Sequence, residues 1–213
     1  MNSTTFIREY DIESINVTLT FHQKLEGEVS CVVWDAAIVL AKYLEVMYQK
    51  NKEFLKEKFV LELGSGLGCA GLVAACLGAE VVLSDLPEAI PLLQYNVDEN
   101  QTLLTTKTSV CVRALSWGDK IDFKKVPDKI ILADCIYYKE SIDPLIKTLL
   151  DYSNSFTEII LAQELRDSEK QKNNWEYFLN EMNKNFVQVS VPKVDQHQDF
   201  CCDEIKVLKF YKK

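Results

Sequence analysis

The chain has 213 residues, 47% of them apolar, and a formal charge of −8 from 24 Lys and Arg against 32 Asp and Glu. That apolar share is enough for one well-packed domain and excludes a disordered chain. The acidic balance argues against nucleic acid as a partner, because non-specific binding there depends on neutralising phosphates with Lys and Arg.

Two short strands are predicted first, over residues 5–10 and 15–22. Val17, Leu19 and Phe21 alternate with Thr18, Thr20 and His22, the two-residue period of a half-buried strand. Gly27 marks a turn. From Trp34 to Tyr48 the period becomes helical, with Ile38, Leu40, Tyr43, Leu44 and Met47 recurring and Asp35 suiting the positive helix end. A lysine-rich linker over 50–58 leads to FVLEL (59–63), which is short, apolar and partly β-branched and so predicts a buried strand. A small-residue helix follows to about Leu77, then the strand EVVLSD (80–85), then a helix with Pro87 in its first turn that reaches about Asn100. Strands are expected over 108–114, 129–134 and 158–162, with a helix over 141–151 between the last two. A polar helix near 168–184 precedes FVQVSV (186–191) and EIKVLKFY (204–211), expected to end the sheet as an antiparallel pair. Strands alternating with helices predict an α/β fold, a mostly parallel Rossmann-like sheet with helices on both faces. Residues 31–213 form the expected domain, and residues 1–30 a short N-terminal β-hairpin extension.

The segment LELGSGLGCAG (61–71) supports two glycine registers, Gly64-x-Gly66-x-Gly68 and Gly66-x-Gly68-x-x-Gly71. Both let backbone approach a ligand and open onto a helix with free N–H groups, so both predict a nucleotide-type ligand. Gly64 directly follows the strand, which favours the first register. No Gly-Lys-Ser/Thr follows, so a phosphate-cradling loop is not expected. Glu62 is hard to explain as core, and an acid there suits an amino or cationic ligand group. Asp85 ends its strand 85 − 64 = 21 residues after Gly64. It fits a ribose diol, since a carboxylate accepts two O–H bonds, or it caps the helix near Pro87. Trp117, in a polar turn, is placed to stack on a base or to plug the loop onto the sheet. Asp134 ends its strand with Tyr137 and Tyr138 close behind. An acid and two phenols at a strand's carboxyl end can orient an amine, or can cap and pack locally.

Seven Cys, an odd and unpatterned set, read as reduced thiols of an intracellular protein. With two His and no paired Cys and His at zinc spacing, no metal site is expected. The N-terminal MNSTTFIREYDIES has no apolar run, so no signal peptide is expected. No stretch approaches the roughly 18 apolar residues of a membrane span, so no membrane partner is expected either. Cytoplasm, nucleus or both follow by elimination, and a monomer is expected.

Taken together, several blocks resemble the family-16 S-adenosylmethionine-dependent protein lysine methyltransferases. These are Glu62 with Gly64-Ser65-Gly66-Leu67-Gly68, VVWDAAIVLAKYLE (32–45), LSWGD (115–119) and ILADCIYYKESIDPLIKTL (131–149). The resemblance runs from about residue 30 to the end and implies the seven-stranded class I methyltransferase sheet. It implies S-adenosyl-L-methionine as cofactor, bound by Trp34, Glu62, Gly64, Ser65, Gly66, Asp85, Trp117 and Ala133. Asp134 and Tyr137 match the catalytic ends of the family's Asp-x-x-Tyr motif, and Tyr138, Glu164 and Arg166 would line the substrate channel. Gln163 departs from the aromatic found before the Glu-x-Arg of the nearest likeness, which bears on the channel wall. The implied substrate is a lysine of a protein, a AAA ATPase such as valosin-containing protein or another chaperone. The rival readings are a small-molecule methyltransferase, an NAD-dependent oxidoreductase on the second glycine register, and a non-catalytic chaperone-binding module.

Overall fold

The structure is a computed structural model and describes residues 5–25, 27, 29–104 and 109–213. Two strands open the chain, β1 (Thr5–Ile12) and β2 (Val17–Lys24), followed by α1 (Asp35–Lys50). Next come β3 (Phe59–Leu63), α2 (Cys69–Cys76), β4 (Glu80–Asp85), α3 (Ile90–Asn100) and β5 (Val110–Ala114). Then follow β6 (Lys129–Ala133), α4 (Lys139–Tyr152), β7 (Glu158–Glu164), α5 (Glu169–Asn185), β8 (Phe186–Ser190) and β9 (Ile205–Lys212).

The central strands are apolar on both sides because both sides are covered. Val60, Ile131, Ile160 and Ala162 face one core with α1, α2 and α3, while their neighbours Leu61, Leu63, Ile130, Leu132, Ile159 and Leu161 face a second core with α4 and α5. The seven-stranded sheet has the order β5-β4-β3-β6-β7-β9-β8. Its first five strands pair in parallel, and β9 runs antiparallel between β7 and β8. The terminal antiparallel pair is as expected, with the last strand in the chain as the inner one.

The two N-terminal strands form their own antiparallel sheet. They run further than the alternation implied, to Ile12 and Lys24, and turn through Asn16 at φ +53°. Ile12, Leu19 and Phe21 are fully buried in the same core as α1 and α2. The far edge of β2 is closed by α3. The Asn100 amide accepts the Thr20 N–H and donates to the Thr20 carbonyl, both at 2.8 Å, and Asn96 treats His22 likewise at 2.7 and 3.2 Å.

Among the other boundaries that differ from the sequence expectation are those of α3 and β5. Helix α3 begins at Ile90 with Pro91, not Pro87, in its first turn. Pro87 belongs to a separate turn in which the Ala89 N–H donates to the Leu86 carbonyl at 3.0 Å. Strand β5 starts at Val110, and residue 108 of its expected span lies outside the described residues.

Candidate active site

Strand β3 has β4 on one side and β6 on the other, so the chain's connections diverge there. Open α/β sheets take ligands in the crevice at such a point, beyond the carboxyl ends of the strands. A cavity of about 620 Å³ lies there. Gly64, Gly66, Asp85, Trp117 and Ala133 line it together with Trp34, and so do Asp134, Tyr137, Tyr138 and Arg166.

The glycine loop explains its own composition. Gly64, Gly66 and Gly68 have φ of +63°, +54° and +81°, the left-handed region where a Cβ is penalised. Gly71 serves a different purpose. A Cβ there would lie 2.1 Å from Leu83 Cδ2 and 2.5 Å from Glu62 Oε2, so it allows α2 to close onto the sheet. The turn therefore follows the first register, with Gly71 as a packing position.

Glu62 and Ser65 do not reach the cavity. Glu62 alternates with Leu61 and Leu63, so its side chain turns under the loop, where Oε2 accepts the Gly71 N–H at 3.2 Å. Burial pushes its carboxyl up to about 8. Ser65 is buried and ties the tips of β3 and β4 together, accepting the Ser84 N–H at 3.0 Å and donating to the Glu62 carbonyl at 3.4 Å. Both residues brace the loop from behind.

Asp85 caps no helix, since α3 starts after Ala89 without a side-chain cap. Its Oδ2 accepts the Gly66 N–H and its Oδ1 the Leu86 N–H, each at 2.7 Å. Burial raises its pKa despite these two bonds. Each oxygen keeps acceptor capacity for a diol. Trp117 both lines the cavity and packs against the second core. Gly118, at φ +93°, shapes its turn, and Thr148 Oγ1 of α4 anchors that turn by accepting the Gly118 N–H at 2.7 Å. A Cβ on Gly64 would meet Trp117 Cζ2 at 3.2 Å and Cys135 Sγ at 2.9 Å, so the glycine is the floor on which the indole rests.

Asp134 has φ +54°, unusual for a residue with a side chain. Its carboxylate is gripped from two directions. Arg166 donates Nη1 to Oδ1 at 3.2 Å and Nη2 to Oδ2, and Gln163 Nε2 donates to Oδ1 at 2.7 Å. Arg166 also pairs with Glu164 at 3.0 Å and lies 5.6 Å from the Trp34 ring. Glu164 itself stays out of the cavity and acts on it only through Arg166. Trp34 is fixed by its indole N–H, which donates to the Val29 carbonyl at 2.7 Å. The Tyr137 carbonyl accepts from Gln171 and Asn174 of α5, both at 3.2 Å, and its ring packs edge-on to Tyr138 at 4.6 Å. Burial, helped by nearby anionic groups including Asp85 and Asp134, pushes the Tyr137 phenol up to about 12.

Sequence reasoning missed several lining residues, among them Leu86, Ser116, Cys135 and Lys170. Leu86 and Cys135 directly follow Asp85 and Asp134, and Ser116 precedes Trp117, so adjacency was the available signal. Lys170 carried none. Among the described residues, no group of three or more His, Cys, Asp or Glu is placed to hold a metal ion.

A family model described as lysine methyltransferase matches residues 13–185. Protein N-lysine methyltransferase METTL21A of Danio rerio is 36% identical over 180 residues, covering 84% of this chain and 78% of that protein. METTL21A of Xenopus tropicalis is 40% identical over 141 residues, covering 65% of this chain and 62% of that protein, so the chain spans under two thirds of this relative. EEF1A lysine methyltransferase 3 of Xenopus tropicalis is 34% identical over 167 residues, 77% of this chain and 71% of that protein. Among solved structures, the T. thermophilus 16S rRNA N2 G1207 methyltransferase in complex with AdoMet and guanosine has a TM-score of 0.68 at 18% identity, covering 99% of this chain and 51% of that one. Magnesium protoporphyrin IX methyltransferase from Synechocystis with bound SAM gives 0.58 at 15% identity, covering 88% and 86%. Both structures are likenesses of fold.

Proposed function

Because the chain belongs to the lysine methyltransferase family, we propose that it transfers methyl groups from S-adenosylmethionine to a lysine side chain of a protein substrate. The observation that carries this reading is one cavity with two different walls. Gly64, Gly66 and Asp85 offer open backbone and a diol acceptor on one side, and Asp134 and Tyr137 offer an acid and a phenol on the other.

The residues present fit the cofactor. The loop glycines leave the space that a Cβ would fill, Asp85 retains acceptor capacity, and Trp117 and Trp34 supply flat apolar walls. Glu62 and Ser65 support that wall indirectly, through the loop. When bound, S-adenosylmethionine supplies a methyl group already activated on its sulfonium. What remains for the protein is alignment and the lysine's proton. A lysine has a reference pKa of about 10.4 and must be neutral to attack. A partly desolvated channel disfavours the ammonium. Asp134 is an orienting group, not a strong base, because its charge is already balanced by Arg166. The lysine proton therefore leaves to water. Tyr137 keeps its own proton at neutral pH and directs the amine by hydrogen bonding.

The finer reading is that the substrate is valosin-containing protein, the AAA ATPase, or another chaperone. The Val-Trp-Asp, Asp-x-x-Tyr and Glu-x-Arg blocks support it. In this reading residues 31–213 are the methyltransferase domain, residues 1–30 its extension, and the protein a monomer of the cytoplasm, the nucleus or both. The test is to incubate the protein with labelled S-adenosylmethionine and cell lysate, then map the modified residue by mass spectrometry. Label on lysine of a discrete protein is expected. Asp134→Ala should abolish it while leaving cofactor affinity, by isothermal titration, within a few-fold. Label confined to small molecules would replace this reading with a small-molecule methyltransferase. Cofactor binding without any transfer would favour a non-catalytic module.

A further inference from the structure

Gln163 lies near the end of β7 and is 2% exposed, following the fully buried run Ile159–Ala162. A buried amide on such a strand is costly unless its polar atoms are all used. Here they are. Nε2 donates to Asp134 Oδ1 at 2.7 Å and to the Glu164 carbonyl at 3.1 Å, and Oε1 accepts the Ile136 N–H at 3.0 Å. One side chain thus holds both the carboxylate of Asp134 and the backbone two residues beyond it, on the way to Tyr137. Asp134 needs such support, since its φ of +54° persists only where the surroundings over-determine it. Arg166 is a weaker anchor. Its side chain is 31% exposed and divided between Asp134 and Glu164. Gln163 is buried and neutral, so it fixes the carboxylate without adding a charge that an incoming amine would feel.

We propose that Gln163 is a positioning residue for lysine methylation, holding Asp134 and the turn that carries Tyr137 in the geometry that aims the amine. The inference rests on the lysine methyltransferase reading above and adds to it the residue that sets the site's alignment. It predicts that what matters at this position is a hydrogen-bond donor toward Asp134, beyond mere filling of the space.

Two substitutions test that distinction. Gln163→Glu keeps an oxygen for the Ile136 N–H but places a second carboxyl against Asp134. The charged groups around the position are Asp134, Glu164 and Arg166, with Lys206 opposite on β9. Burial and the Asp134 carboxylate favour the protonated form of the new carboxyl, while Arg166 and Lys206 favour the ionised one. Protonated, it donates to Asp134 as the amide does; ionised, it repels Asp134 and spoils the turn. Turnover with tritiated S-adenosylmethionine and lysate protein, relative to wild type at each pH, is expected to fall roughly 10- to 100-fold at about pH 9, where the new carboxyl is ionised, and to recover as the pH is lowered toward about pH 6.5. Gln163→Met offers neither donor nor acceptor, and its turnover should be low at both pH values. Its S-adenosylmethionine affinity by isothermal titration should stay within about twofold of wild type, which also reports that it folds. A wild type that labels no lysine would overturn the methyltransferase reading itself. If the wild type labels lysine, full turnover by Q163E at high pH, or full turnover by Q163M at either pH, would overturn the role of Gln163 alone.

Discussion

Glu62 sits behind the glycine loop with the Gly71 N–H as a partner, and burial pushes its carboxyl up to about 8 from an ordinary 4.5. In the unfolded chain it ionises near the ordinary value. Between the two values the folded state holds a proton that the unfolded state has lost. The stability contributed by Glu62 is therefore full below 4.5 and is lost as pH rises through about 8. Glu62→Gln cannot ionise, so its melting temperature should rise relative to wild type between about pH 5 and about pH 9. A gap that stays constant across that range in calorimetry would count against this account. Glu62 was visible in the sequence as an oddity in a core strand. Its direction was not, because which face an alternating side chain takes depends on what packs on each face. Asp85 and Asp134 were legible as strand-end acids, whereas the Gln163 and Arg166 that grip Asp134 come from another strand and its following loop.

At the scale of elements, α3 does what a neighbouring strand would otherwise do. Asn96 and Asn100, one helical turn apart, present amides that pair with both backbone groups of His22 and Thr20. Unpaired, those half-buried groups would destabilise the edge of β2 and leave it open to other chains. Asn100→Ala removes a two-way pair and should cost about 1–3 kcal/mol in urea unfolding. Amide exchange at Thr20 should accelerate by a larger factor than exchange in β3. Equal acceleration in both would mean that the helix only packs, without closing the strand. The helix itself was legible from its apolar spacing. Its partner strand was not, since the two lie about 80 residues apart in the chain and no local pattern encodes that distance.

Across the whole molecule, the end of the sheet opposite the cavity is locked by a half-buried ionic cluster. Glu158 at the start of β7 accepts from Lys129 at the start of β6, and from Lys209 at 2.8 Å and Tyr211 at 2.7 Å near the end of β9. This joins parallel and antiparallel strands at one point. Burial pushes the Glu158 carboxyl up, but Lys129, Lys209 and Tyr211 outweigh it and hold the group at about 2. Its folded value lies below its unfolded value of 4.5, so its contribution is present above 4.5 and is lost as pH falls toward about 2. Glu158→Gln is expected to lower the melting temperature at neutral pH by several degrees, corresponding to on the order of 2 kcal/mol. That deficit should shrink as the pH drops through the same window. A deficit of equal size at about pH 3 and about pH 7 would show that packing, not charge, is at stake.

The sequence by itself determined the alternation of strands and helices, the glycine turn after β3 and the acids at the ends of β4 and β6. Each of these is a local consequence of periodicity or of backbone that only glycine adopts cheaply. Tertiary structure alone decided that Glu62 and Ser65 brace the loop from behind while Gly64 and Gly66 face the cavity. It alone placed β9 inside β8, built the N-terminal strands into the main core, and set Gln163 against Asp134. Those outcomes depend on which distant surfaces meet, because a side chain's role is set by the neighbours that bury it and the partners that satisfy its polar atoms.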